Sequence, residues 1–149
     1  MGLAKTYLLV YNASLIAGWA YVLVFAGLAF VNTGADSVYA TVEIPLLIAQ
    51  SAACLEVVHA ILGIARSPVV VTAMQVSSRI MVVWGVLWVS PPSRTSTLVL
   101  ANINGTDIGL GVPSLLLCWG ITECVRYSFY FFKLVGNVPS AVVWARYTF

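Results

Sequence analysis

The stretch Ile44–Ser90, IPLLIAQSAACLEVVHAILGIARSPVVVTAMQVSSRIMVVWGVLWVS, decides the architecture. It holds two apolar runs, each near the roughly 20 residues a helix needs to cross a bilayer, and only Arg66-Ser67 parts them. So short a break predicts a tight helical hairpin. Pro68 suits the first turn of the second helix, where its missing N–H costs nothing, and Pro45 near the start of the first span fits the same logic. Working outward, comparable runs occupy residues 7–31 and 112–135, so the full spans are 7–31, 44–65, 68–90 and 112–135. A fifth begins at Val138 but supplies only about a dozen residues by Phe149, about half a crossing. The expectation is one all-α membrane domain over residues 1–149. It is a polytopic transmembrane helix bundle of four full spans plus the start of a fifth, the N-terminal part of a longer protein. Pro91–Gly111, rich in Pro, Ser, Thr, Asn and Gly, is the longest loop.

Composition agrees. Hydrophobic residues form 61% of the chain and charged ones 8%, too little charge to cover a soluble surface, so lipid must be much of the solvent. A net charge of +2 gives no case for nucleic acid. The first apolar run exceeds a signal-peptide core and lacks a clear cleavage site, so it reads as a first span. Cys54, Cys118 and Cys124 all lie in apolar segments and read as small core or lipid-facing residues. Lys5, Arg66 and Lys133 fall on one side of the bundle and Arg94 on the other, which predicts a cytoplasmic N-terminus. That orientation puts Asn104-Gly105-Thr106, a glycosylation sequon, in the lumen. A second triplet, Asn12-Ala13-Ser14, is unusable inside the first span.

Charges embedded in apolar spans are the best functional pointers, because each costs about 2.5–3.5 kcal/mol on insertion scales unless paired or hydrated. They are Glu56 and His59 in the second span, Arg79 in the third, and Glu123 with Arg126 in the fourth. Gln75 and Arg79 share a helix face, as do Glu56 and His59. Counted from the hairpin turn, Glu56 lies about ten residues back and Arg79 about twelve on, a depth mismatch of a few ångströms, so these two are expected to pair. Glu123 and Arg126 form a second expected pair. Both pairs read equally well as structural neutralisation and as parts of a site. His59 alone reads as a hydrogen-bonded packing residue, Tyr127–Phe132 as an interfacial belt, and Trp84 with Trp88 as packing or lumenal-interface residues. A small transporter built on Glu56 and Arg79 would need repeat or broken-helix signals, which are not evident.

His59 to Ser67 has the outline H-x-x-x-x-x-x-R-S of a tyrosine-phosphatase signature. The nucleophilic cysteine that should follow the histidine is Ala60, which cannot attack phosphorus. Phosphatase chemistry is excluded.

That broken outline and its neighbours resemble the very-long-chain (3R)-3-hydroxyacyl-CoA dehydratases, formerly called protein tyrosine phosphatase-like proteins. The matching pieces are Tyr11-Asn12, Gly18-Trp19, Leu55-Glu56-Val57-Val58-His59, Gly63, Gln75-Val76-Ser77-Ser78-Arg79, Trp84-Gly85, Ile121 through Tyr130, and Trp144-Ala145-Arg146-Tyr147. Arg66-Ser67-Pro68 looks most like the plant-type members, and Leu98–Gly111 is longer than the family pattern. The resemblance implies six spans in the endoplasmic reticulum membrane and a hydro-lyase activity. The reaction would be dehydration of (3R)-3-hydroxyacyl-CoA to trans-2-enoyl-CoA, the third step of very-long-chain fatty acid elongation, with other elongation enzymes as partners. No cofactor is implied, and no metal-ligand cluster or phosphate loop occurs. The family's catalytic tyrosine and glutamate belong to a Y-P-x-G-x-x-x-E stretch after W-x-R-Y. That stretch does not occur among these 149 residues, and Tyr147 belongs to the preceding motif. No catalytic residue is therefore expected within the chain, while Glu56, Gln75, Arg79 and Arg146 match the family's supporting positions; Glu123 and Arg126 match the family as well and are expected to be a structural pair. The alternative is a catalytically inactive membrane protein that binds or scaffolds the elongation enzymes.

Overall fold

The computed structural model describes residues 2–65, 67–103 and 106–148. Helix α1 (Leu3–Thr33) is the central strut, packing against α6 (Val112–Val135) on one side and α2 (Val38–Ala52) on the other. Small residues let these helices approach. Gly18 faces the Ala49 methyl, and Gly120 sits directly beneath Leu23. Between the close contacts Trp19, Val22, Val42, Leu46, Val83 and Leu116 are fully buried. Large apolar side chains at Val10, Leu28, Ile44, Ile48, Met74 and Met81 face outward, as a lipid-solvated bundle requires.

A short 3-10 turn (Ala35–Ser37) leads directly into α2, which meets α3 (Cys54–Ile61) at Ala53. The helical run therefore starts at Ala35, not near Ile44 as the apolar pattern suggested. Pro45 consequently lies inside α2, not in a first turn. The Asp36–Glu43 segment hid this start, because its polar residues dilute the apolar signal. Helix α3 ends at Gly63, whose φ of 67° lies in the left-handed region that glycine tolerates at no steric cost. Pro68 then caps α4 (Val69–Ile80), and the hairpin expected around residues 66–67 forms, with α3 packing on α4. Arg66 itself lies outside the described residues. After Ile80 the helix widens into a π-helix (Met81–Trp88).

Three helical runs are long and apolar enough to cross a membrane: Leu3–Thr33, Ala35–Ile61 and Val69–Trp88. Helix α6, 24 residues long, is the fourth member of the array. Glu123, Arg126 and Lys133 set it apart in composition; the first two are paired inside the bundle. The long loop is more ordered than expected. It contains α5 (Pro91–Thr95) and an antiparallel hairpin of β1 (Leu98–Ile103) and β2 (Thr106–Leu110), with Leu98 opposite Leu110. The sequon residue Asn104 lies outside the described residues. Arg94 clasps this connection to the bundle. Its Nε donates to the Leu87 carbonyl at 2.7 Å and its Nη2 to that of Trp88 at 2.8 Å, and its guanidinium lies 4.6 Å from the Tyr39 ring. Gly136 ends α6 in the left-handed conformation, and α7 (Ser140–Thr148) folds back along α6.

Candidate functional site

The embedded charges converge from three helices. Arg126 on α6 meets Glu56 on α3 end-on: Nη1 donates to Oε2 and Nη2 to Oε1, each at 2.8 Å. This is the bidentate fork that a guanidinium makes with a carboxylate, and it is among the stronger side-chain hydrogen bonds. One turn earlier on the same helix, Glu123 accepts from Arg126 Nε at 3.1 Å and from Nη2 at 2.5 Å through its Oε2. The other oxygen of Glu123 stands 3.0 Å from Arg79 Nη1 on α4. The order is Glu56, Arg126, Glu123, Arg79. Charges alternate along this ladder and cancel over its length, so none is left unpaired in a low-dielectric interior. Glu123, only 1% exposed, depends on this most.

The expected Glu123–Arg126 contact is present. The expected Glu56–Arg79 contact is not: Glu56 pairs with Arg126, and Arg79 with Glu123. Depth along the hairpin was read correctly, but depth does not determine azimuth. Both side chains turn from their own hairpin toward α6, where two opposite charges already lie one turn apart.

Aromatic groups close the ladder. Tyr127 is fully buried, not part of an interfacial belt, and its hydroxyl donates to Glu56 Oε1. Tyr11 meets Tyr127 edge-on with ring centres 6.3 Å apart, and it packs against His59 at 4.8 Å. The Tyr7 hydroxyl is 2.9 Å from His59 Nε2. His59 is thus a hydrogen-bonded packing residue, as expected. Tyr7 is not singled out by the sequence, and Tyr11 enters only as part of the resembling Tyr11-Asn12 piece. Their four-residue spacing on an otherwise apolar helix marks a common face, but nothing in the sequence says what that face meets. Trp84 donates to Ser51 Oγ at 3.1 Å and serves as packing, with Trp88 beside it. The three cysteines are free.

A cavity of about 500 Å³ opens beside the ladder, at the end of the bundle that holds the start of α1, the α3–α4 turn and the end of α6. Glu56, His59, Gln75, Arg126, Tyr130 and Lys133 line it together with apolar groups. Its size and mixed lining suit a small-molecule site. Of the four supporting positions matched in the sequence, Glu56 and Gln75 reach the cavity. Arg79 is linked to it through Glu123 and Arg126. Arg146 lies outside it, stacked 4.5 Å from the Phe129 ring centre and 5.2 Å from that of Tyr130, so it touches a wall residue from behind. Among the described residues no group of three or more metal-ligating side chains occurs.

Fold and site together define a helical membrane protein with a charge-balanced polar site between its spans. The chain belongs to the protein tyrosine phosphatase-like protein (PTPLA) family, whose model matches residues 50–149. It is 41% identical over 145 residues to the very-long-chain (3R)-3-hydroxyacyl-CoA dehydratase PASTICCINO 2 of Arabidopsis thaliana and, equally, to PASTICCINO 2A of Oryza sativa, covering 97% of this chain and 60% of each relative. The human very-long-chain (3R)-3-hydroxyacyl-CoA dehydratase 2 is 37% identical over 147 residues, 98% of this chain and 53% of that protein. The chain thus spans 60% of the length of these plant relatives. No solved structure matches it.

Proposed function

We propose that residues 1–149 form a single membrane domain of a very-long-chain (3R)-3-hydroxyacyl-CoA dehydratase, a hydro-lyase that makes trans-2-enoyl-CoA in fatty acid elongation. The observation that carries this reading is the polar cavity whose wall holds Glu56 and Gln75, at positions matching the family's supporting residues. The reaction breaks the C2–H bond, forms the C2–C3 double bond and expels the C3 oxygen as water, so it needs a base and an acid in one site. Glu56 suits neither task here. Both its oxygens are engaged by Arg126 and Tyr127, which makes it a fixed counter-ion. The Gln75 side chain lines the cavity and makes no hydrogen bond among the described residues, so its amide is free to donate to the thioester oxygen, where negative charge develops. The proton-transferring tyrosine and glutamate are those of the family's Y-P-x-G-x-x-x-E stretch.

The same reading places the protein in the endoplasmic reticulum membrane, beside other elongation enzymes, with its N-terminus cytoplasmic. Lys133 then stands at the cytoplasmic mouth of the cavity, where the nucleotide part of the substrate remains in water while the acyl chain enters the bilayer. The test is photolabelling of the chain in liposomes with a diazirine-bearing long-chain 3-hydroxyacyl-CoA. Labels should map to cavity segments around Gln75 and Tyr130, and unlabelled substrate should compete them away. Uncompeted labels scattered over the lipid-facing surface would remove the cavity from the reading.

A further inference from the structure

We infer that Arg126 and Glu123 are positioning residues of this site: one guanidinium fixes the Glu56 carboxylate in the cavity wall and, through Glu123, sets where Arg79 lies. The catalytic relevance of this arrangement rests on the dehydratase reading; the linkage itself does not. Glu56 and Arg79 come from the two arms of one helical hairpin, yet each is held by α6. Arg126 bonds both carboxylates, the buried Glu123 and the partly exposed Glu56. Its two Nη groups take the two oxygens of Glu56, while Nε and Nη2 reach Oε2 of Glu123. Glu123 divides its own oxygens, Oε2 toward Arg126 and Oε1 toward Arg79, so Arg126 and Glu123 together link Glu56 to Arg79. Only a planar guanidinium fork can hold two carboxylates in this way; an ammonium is a point charge without the fixed geometry.

The consequence for chemistry is electrostatic. A bare carboxylate in the cavity wall would oppose the enolate-like charge that develops on a thioester oxygen nearby. Arg126 cancels that charge and keeps it in place, leaving the Gln75 amide as a neutral donor in the cavity wall.

Dicyclohexylcarbodiimide, which attacks protonated carboxyl groups in apolar surroundings, reads the arrangement directly. The 149-residue chain in liposomes is treated with it, adducts at Glu56 and Glu123 are quantified by mass spectrometry, and helix content is followed by circular dichroism. In the unaltered chain both glutamates should resist. With Arg126→Gln, adducts at Glu56 should form about tenfold faster or more at unchanged helix content, since a buried carboxylate stripped of its partner favours the neutral form. Arg126→Lys keeps the charge and should protect one glutamate but not both, whereas a merely structural charge would be fully rescued by lysine. Glu123→Gln should leave Glu56 resistant. These two variants decide the matter if Arg126→Gln does not fold. Reactive Glu56 in the unaltered chain, a resistant Glu56 in helical Arg126→Gln, or equal protection of both glutamates by lysine would overturn the inference. Labelling needs no turnover, so a failure of the dehydratase reading would leave these results unchanged.

Discussion

Arg126 satisfies two carboxylates with one side chain, the buried Glu123 and the partly exposed Glu56. Removing one partner of a buried ion pair costs about 3–5 kcal/mol, chiefly because the other charge stays behind unpaired. A double-mutant cycle between Glu56→Gln and Arg126→Gln should therefore show strong non-additivity, the double variant being far less destabilised than the sum of the two singles. The cycle between Glu56→Gln and Arg79→Gln should show the smaller coupling, since among the described residues these two are linked through Glu123 and Arg126. Unfolding of the purified variants in denaturing detergent measures both, and the reverse ranking would contradict the ladder. Much of this site was legible. The embedded charges stand out against apolar sequence, and the three-residue spacing of Glu123 and Arg126 identifies one pair. The wrong partner for Glu56 came from using distance along the hairpin without knowledge of which face each arm presents to α6. Tyr127 was hidden by its aromatic neighbours, whose composition suits an interface.

At the scale of elements, the contact between α1 and α6 depends on the absence of a side chain at Gly120. A Cβ built there would lie 2.6 Å from Leu23 Cγ and Cδ2. Gly120→Ala should destabilise the bundle by about 1–3 kcal/mol, the usual cost of overpacking, and the added change Leu23→Ala should relieve part of it. Thermal unfolding of the two variants in detergent is the check, and a neutral Gly120→Ala would show that the helices are not held at this spacing. Helix existence was plain from apolar run length, and so was the α3–α4 turn. The hairpin Leu98–Leu110 was not. Its first strand opens on the continuous apolar run Leu98–Ala101, without the alternation that marks a half-buried strand. Asn104-Gly105, a strong hairpin-turn dipeptide, was read only as part of a sequon.

For the whole molecule, the proposed cytoplasmic N-terminus rests on where the basic residues collect. Lys133 lies in the last turn of α6, at the same end as the start of α1, and Arg94 lies at the other end against the π-helix. A tag fused before Met1 should be digested by protease added to sealed microsomes, and a tag protected from it would invert the bundle. The central claim is that this membrane domain shapes a dehydratase site, and turnover tests it most directly. The chain would be joined after its W-x-R-Y motif to the Y-P-x-G-x-x-x-E segment of a plant relative and expressed in cells depleted of their own dehydratase. Labelled long-chain 3-hydroxyacyl-CoA would then be followed to the 2-enoyl product in microsomes. The fusion should restore dehydration, the same fusion carrying Gln75→Leu should lose most of it, and the 149-residue chain alone should stay at background. A fusion that accumulates in the membrane yet forms no enoyl product, or a Gln75→Leu fusion as active as its parent, would contradict the claim.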